Sequence, residues 1–206
     1  MRIIFLLISI IAAIHGSAQE ETPNAKQARR IMDTAYERVF GKQGSSFHYK
    51  VNIIGLYKTE GNITIKEKKQ RFIDERVDTW NNGRVAYMAY RKKRTVEIHD
   101  AQSDKKDKYS GRFKFSLDDF TYSVAKDPEG LMLTLKQKKK AKGTIKEVRA
   151  LVAQGSYAPI RLRIKVAFFW TTIYISDFHS GGIKDEVFEF PAARYKKDWK
   201  FVDKRD

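Results

Sequence analysis

Three kinds of residue in this chain have side chains suited to acid–base, metal or nucleophilic chemistry, and none of them has the spacing. His48, His99 and His179 are imidazoles of the type that bind metal or move protons when a carboxylate or second histidine lies at ligand distance, yet they are scattered singly and lack such a partner in sequence. Adjacent carboxylates occur at Asp118-Asp119 and Asp185-Glu186, but neighbours on a strand point to opposite faces and make poor acid/base pairs. Ser180 precedes Gly181-Gly182 without the Gly-x-Ser-x-Gly arrangement of a nucleophile elbow. The chain contains no cysteine, which excludes thiol catalysis and disulfides alike. These patterns point away from an enzyme, and they call for no metal and no cofactor.

What the residues do support is apolar recognition, and the elements that would position it are mostly strands. Thr22 is placed to cap a helix with Pro23 in its first turn. Ala28, Ile31, Met32, Ala35, Val39 and Phe40 then recur at helical spacing up to a terminal Gly41. From Phe47 the period changes to two, with Phe47, Tyr49, Val51 and Ile53 alternating against His48, Lys50 and Asn52. A turn is expected at Glu60-Gly61 before Ile63 and Ile65, and another at Asn81-Asn82-Gly83 before Val85, Tyr87 and Ala89. Val96 and Ile98 follow, then Phe113, Phe115 and Leu117, then Phe120, Tyr122 and Val124. After the turn at Asp127-Pro128-Glu129-Gly130 come Leu131, Leu133 and Leu135, and strands at 145–152, 160–164 and 173–178 complete the series. The expected fold class is α+β: a strongly curved antiparallel sheet forming an incomplete β-barrel, covered on its concave side by the N-terminal helix. One helix is too small for so wide and aromatic a face. The remainder is either filled by its own side chains or left as a cavity for an apolar ligand.

The first 18 residues carry one Arg, an apolar run over 3–14, and small residues at Gly16 and Ala18, the pattern of a secretory signal peptide. A retained anchor is the alternative. The apolar run falls short of the roughly 20 residues a membrane span requires. Residues 19–206 then form a single domain, expected in the periplasm and soluble after cleavage. Lys and Arg total 41 against 25 Asp and Glu, a formal charge of +16. In an exported protein this excess speaks for an anionic membrane surface rather than nucleic acid, with basic side chains near such a surface contributing about 1 kcal/mol each. Lysines that merely keep the chain soluble would give the same count.

A late stretch, Ile164-Lys165-Val166-Ala167-Phe168-Phe169-Trp170-Thr171-Thr172, sits where strand spacing calls for a hairpin turn, yet it has no Gly, Asn, Asp or Pro. An apolar tip at Phe168, Phe169 and Trp170 implies contact with lipid or a partner. The alternative is that the turn lies elsewhere and these are ordinary sheet residues.

The order of these pieces resembles the LolA-type outer-membrane lipoprotein carriers. The resemblance rests on the exported helix ending in Gly41, the strand opening Ser46-Phe47, and Gly61-Asn62-Ile63-Thr64-Ile65-Lys66. It continues through Asn82-Gly83-Arg84-Val85-Ala86-Tyr87, Phe188-Glu189-Phe190 and Val202-Asp203-Lys204-Arg205. It implies an incomplete barrel with a helical lid around a hydrophobic cavity that takes the acyl chains of lipoproteins from inner to outer membrane. It also implies an inner-membrane release complex and an outer-membrane acceptor as partners of a monomeric carrier. The chain departs from the pattern in three places: Lys66-Glu67-Lys68 stands where the carriers place an Arg, Asn82 replaces an Asp, and no lid helix is evident between Asp100 and Ser116. The same scaffold would equally suit a carrier or sensor of a glycolipid or polyene pigment, or an interaction protein with a filled core. On the carrier reading the cavity is lined by Val51, Ile53, Ile63, Ile65, Val85, Tyr87, Val96, Ile98, Leu133, Leu135, Leu162 and Ile164, with Ile31, Val39 and Phe40 from the helix.

Overall fold

A computed structural model describes residues 22–53, 57–102, 117–195 and 198–205. The expected signal peptide at 1–18, the aromatic pair Phe113 and Phe115, and most of the stretch between Asp100 and Ser116 lie outside the described residues. Helix α1 (Pro23–Phe40) begins and ends where its local chemistry dictates. Thr22 Oγ1 accepts the Ala25 N–H at 3.2 Å, and Pro23 occupies a position where no backbone donor is needed. At the other end the Gly41 N–H donates to the Glu37 carbonyl at 2.8 Å. Ala28, Ile31, Ala35 and Val39 form the buried stripe. No helix among the described residues is long and apolar enough to cross a membrane.

Twelve strands follow among the described residues: β1 (Ser45–Ile53), β2 (Tyr57–Lys66), β3 (Lys69–Asp74), β4 (Val77–Asn81), β5 (Val85–Tyr90), β6 (Thr95–Asp100), β7 (Phe120–Asp127), β8 (Gly130–Gln137), β9 (Ile145–Val152), β10 (Pro159–Val166), β11 (Phe169–Ser180) and β12 (Lys200–Asp203). Their hydrogen-bonded order is β12-β6-β5-β4-β3-β2-β1-β11-β10-β9-β8-β7, an open series with β12 and β7 at its ends. The α+β class and unclosed sheet agree with the expectation from sequence, with two corrections. The sheet is mixed rather than wholly antiparallel, because β12 pairs with β6 in parallel, Phe201 beside Val96. A parallel neighbour cannot be reached by a hairpin; β7 to β11 lie between β6 and β12 in sequence, and the chain comes back from β11 to β12 through 3-10 turns at Asp185–Phe188 and Ala192–Tyr195.

The second correction concerns Glu60-Gly61, which is no turn but the middle of β2, with Gly61 opposite Asp74. Glycine is required there by close approach, since a Cβ would overlap the Ile73 carbonyl oxygen and sit 2.9 Å from the Tyr49 hydroxyl. The β2–β3 turn falls at Glu67-Lys68 instead, with Glu67 at φ 52°.

The chain forms two compact units, each assembled from separate stretches. The first contains the described residues within Met1–Ala35, Val51–Lys58 and Asp107–Tyr174; the second contains Tyr36–Lys50, Thr59–Lys106 and the described residues within Ile175–Asp206. Ala28, Ile31 and Ala35 of α1 pack in the first unit with Phe120, Tyr122, Leu133, Leu135, Ile145, Val148, Val152 and Ile164. The second unit has an aromatic core around Trp80, Ala89, Val96 and Tyr195.

Candidate functional site

In the first unit, register gathers an apolar face. Leu133 pairs with Ala150 and Ala150 with Leu162, while Leu135 pairs with Val148 and Val148 with Ile164. Residues paired across strands share a face, so Leu133, Leu135, Leu162 and Ile164 lie together, and Ile31 of α1 packs against them. The helix meets this face with Ala28, Ile31 and Ala35, two of which are short. Burial of this face is uneven: Leu133, Leu135 and Ile164 are closed off, whereas Met32, Val124, Leu131, Ala150, Leu162 and Val166 are only partly covered. Polar contacts hold the helix at one margin. The Asn24 amide donates to the Val124 carbonyl at 2.8 Å and its oxygen accepts the Val124 N–H at 3.0 Å. Arg29 pairs with Asp118 at 3.3 Å and lies over the Tyr122 ring.

In the second unit, register separates residues that a single lining would need together. Ile63 pairs with Phe72, Phe72 with Thr79, Thr79 with Met88, and Met88 with Glu97. Tyr87 and Ile98 are each displaced by one residue from that row and face the other way, with Val85, Ala89 and Val96. The expectation that one inward face carries Ile63, Ile65, Val85, Tyr87, Val96 and Ile98 is thus corrected. Ile63 and Ile65 are buried beside Phe72, whose ring stacks on Tyr49 at 5.6 Å. Tyr87 stacks on Phe190 at 4.3 Å and 8°, and Phe190 in turn meets Tyr195 and the edge of Trp80. The C-terminal segment thus covers Tyr87 and Val96 with the chain's own aromatics, while Val85 and Ile98 stay half-buried.

Val51 is fully buried on β1, on the side of that strand that carries Tyr49; the side chain of Ile53 lies outside the described residues. Val39 is buried and its carbonyl accepts the Ser45 hydroxyl at 2.8 Å. Phe40 is half-buried, stacked on Tyr36 at 4.9 Å.

Charge in the second unit serves to hold its C-terminal segment. Lys66 and Lys69 both reach Asp185, at 2.8 and 2.7 Å, and Lys66 also donates to the Ile183 carbonyl. Hydrogen bonds from Lys66 and then Lys69 lower the Asp185 carboxyl to a pKa of about 2. Lys66 is therefore an internal tether in this chain. Arg71 lies over Trp80 at 3.9 Å, and burial above all lowers its pKa. Asp78 receives Arg91 at 2.7 Å and the Tyr195 hydroxyl at 3.4 Å. The Tyr195 phenol is pushed up chiefly by its burial and next by the Asp78 charge.

His48 meets Asn62 and His179 meets the Asp177 carbonyl. The expectation that the histidines have no acidic partner is corrected at His99, which lies 3.2 Å from the carboxylate of Glu97, two residues away on β6 and also held by Lys204 at 2.8 Å. Ser180 donates to the Arg38 carbonyl at 3.0 Å. Among the described residues, no three His, Asp or Glu side chains come together as a metal site would require.

The late hairpin turn lies at Ala167-Phe168, with Lys165 opposite Trp170 and Val166 opposite Phe169. Phe168 is 75% exposed and Phe169 58%, while Trp170 is half-buried.

No protein-family model matches the sequence, and no curated protein does so either. Among solved structures, a LolA superfamily protein from Nitrosomonas europaea is 10% identical, with 80% of this chain and 98% of that one covered at a TM-score of 0.38. A DUF1329 family protein from Desulfovibrio piger is 12% identical over 83% and 99% of the two chains, with a TM-score of 0.41. The lipoprotein LppX of Mycobacterium tuberculosis is 10% identical over 77% and 98%, with a TM-score of 0.42.

Proposed function

We propose that the protein is a periplasmic carrier that shelters the acyl chains of lipoproteins against the apolar face of its first unit and moves them from inner to outer membrane. The observation that carries this reading is the incomplete cover of that face: its buried residues, with Ile31 of α1 among them, leave Met32, Val124, Leu131, Leu162 and Val166 as a partly open apolar margin. An exposed acyl chain is a problem of the matching kind. At about 0.8 kcal/mol per methylene, one long chain in water costs on the order of 10 kcal/mol. A carrier offsets that cost without making or breaking a bond, and its site must be imperfect enough to let the cargo go. The donor is an inner-membrane release complex and the acceptor an outer-membrane protein, each met transiently by a monomer.

The test is mass spectrometry of what copurifies with the native protein, beside the Leu162→Glu variant, which places a charge on the margin rather than in the closed core. Acylated peptides on the native protein and their loss from the folded variant are expected. Free glycolipid or pigment would replace the cargo class. A native protein carrying nothing, and taking up no apolar fluorescent probe, would end the carrier reading.

A further inference from the structure

The Ala167-Phe168 turn combines three features that a soluble hairpin avoids. It places two aromatic rings in water, Phe168 and Phe169, with centroids 4.3 Å apart. It requires Ala167 to adopt φ 54°, a left-handed conformation that glycine or asparagine would take with less strain. It also stands among cations. Arg163, Arg149 and Lys165 surround the Trp170 ring at 4.7, 5.0 and 5.8 Å. The Ala167 N–H donates to the Thr144 carbonyl at 3.1 Å, which joins the tip to the β8–β9 loop, where Lys139, Lys140 and Lys142 are exposed. Lys146, also exposed, extends to Gln137 and Gly143 at the same end. Glu147, opposite Lys165 on β9, is engaged by Arg149 at 2.6 Å.

The geometry points to this end of the first unit as a contact site for an anionic lipid surface, with Phe168 and Phe169 entering the headgroup–acyl boundary and Trp170 and its ring of cations resting at the phosphates. A protein partner fits the tip poorly. Stable protein interfaces bury about 800 Å² per side, whereas two aromatic side chains bring about 300–500 Å². A deformable apolar layer beneath a sheet of negative charge takes a narrow convex tip without a matching pocket. Tryptophan and basic residues with apolar stems are suited to that depth. This inference stands apart from the carrier reading, since it does not depend on what the apolar face holds.

The absence of cysteine from the chain permits a site-specific test. A Phe168→Cys variant carrying an environment-sensitive nitrobenzoxadiazole dye is titrated with vesicles of phosphatidylglycerol and phosphatidylcholine, and with vesicles of phosphatidylcholine alone. The dye should brighten and shift to the blue on the anionic vesicles only, while the same dye at exposed Ser156, beyond the opposite ends of β9 and β10, should not respond. In cosedimentation, Phe168→Ser with Phe169→Ser should weaken partition about tenfold, and Arg163→Gln with Lys165→Gln about 25-fold, at about fivefold for each lost charge. These side chains contribute little to the core, and circular dichroism verifies that the variants remain folded. A tip dye that stays silent on anionic vesicles, or responds equally to neutral ones, would overturn the assignment.

Discussion

Leu133 and Leu162 occupy the same cross-strand row, on either side of Ala150, and differ in cover rather than in chemistry. Leu133 is 0% exposed whereas Leu162 is half-buried at the margin of the apolar face. Truncating a leucine that cannot be refilled costs about 2–5 kcal/mol, the lost transfer energy plus the cavity left behind. Leu133→Ala should therefore cost about 3 kcal/mol, which in a chain of this size lowers Tm by about 6–12 °C. Part of the Leu162 surface already faces solvent and its loss opens no closed void, so Leu162→Ala should cost about 1 kcal/mol, or about 2–4 °C. Binding should rank the other way. The margin is where an acyl chain would extend the buried area, so Leu162→Ala should weaken uptake of an apolar fluorescent probe more than Leu133→Ala does, measured well below both melting points. The assay pairs urea unfolding with probe titration on the same preparations. Equal stability losses at the two positions, or probe uptake that simply follows stability, would refute the division of this face into a closed core and an open margin.

Two further outcomes follow from the second unit. Gly61→Ala should cost about 2–3 kcal/mol by urea unfolding, because the added methyl meets the Ile73 carbonyl and cannot move away without parting β2 from β3. The carboxyl of Asp185 has its pKa lowered in the folded chain to about 2, below its unfolded value near 4, so its contribution is fully present above about pH 4 and is lost as pH falls through 2. Urea midpoints of Asp185→Asn should accordingly fall less steeply between pH 4 and pH 2 than those of the parent; parallel curves would remove the tether from the stability of the C-terminal segment.

Features written in short stretches of sequence were legible. The Thr22-Pro23 start and Gly41 end of α1, the Asn81-Asn82-Gly83 and Asp127-to-Gly130 turns, and the strand at 145–152 all follow from local chemistry, and the structure has them where it predicts. At the Asn81-Asn82-Gly83 turn, Asn82 Oδ1 accepts the N–H groups of Arg84 and Val85, the local role that makes asparagine a turn residue. Strands β3 and β4 gave no such signal. Phe72 and Ile73 are adjacent rather than alternating, and Val77, Asp78, Thr79 and Trp80 are all buried, so neither face of β4 reads as polar. Alternation along one strand also says nothing about its offset from the next, and a one-residue offset put Tyr87 on the face opposite Ile63. The cover supplied by Phe190, Tyr195 and Trp199 was invisible for a related reason: it comes from 3-10 turns and an irregular tail with no periodicity. The apolar hairpin tip was legible because what marked it was a lack, the missing turn-forming residues between Lys165 and Trp170.

The position of β1 beside β11 sets a schedule for the chain. Ribosomes deliver residues in order, so Ser45–Ile53 emerges long before Phe169–Ser180 exists to pair with it. Until then β1 has an unsatisfied edge, an invitation to wrong partners. Loop closure over such a span is slow compared with the local hairpins of β2 to β6 or β7 to β10. A protein truncated after β10 would keep most of its strands and lose that partner, which marks degradation or aggregation, rather than a smaller working version, as its fate.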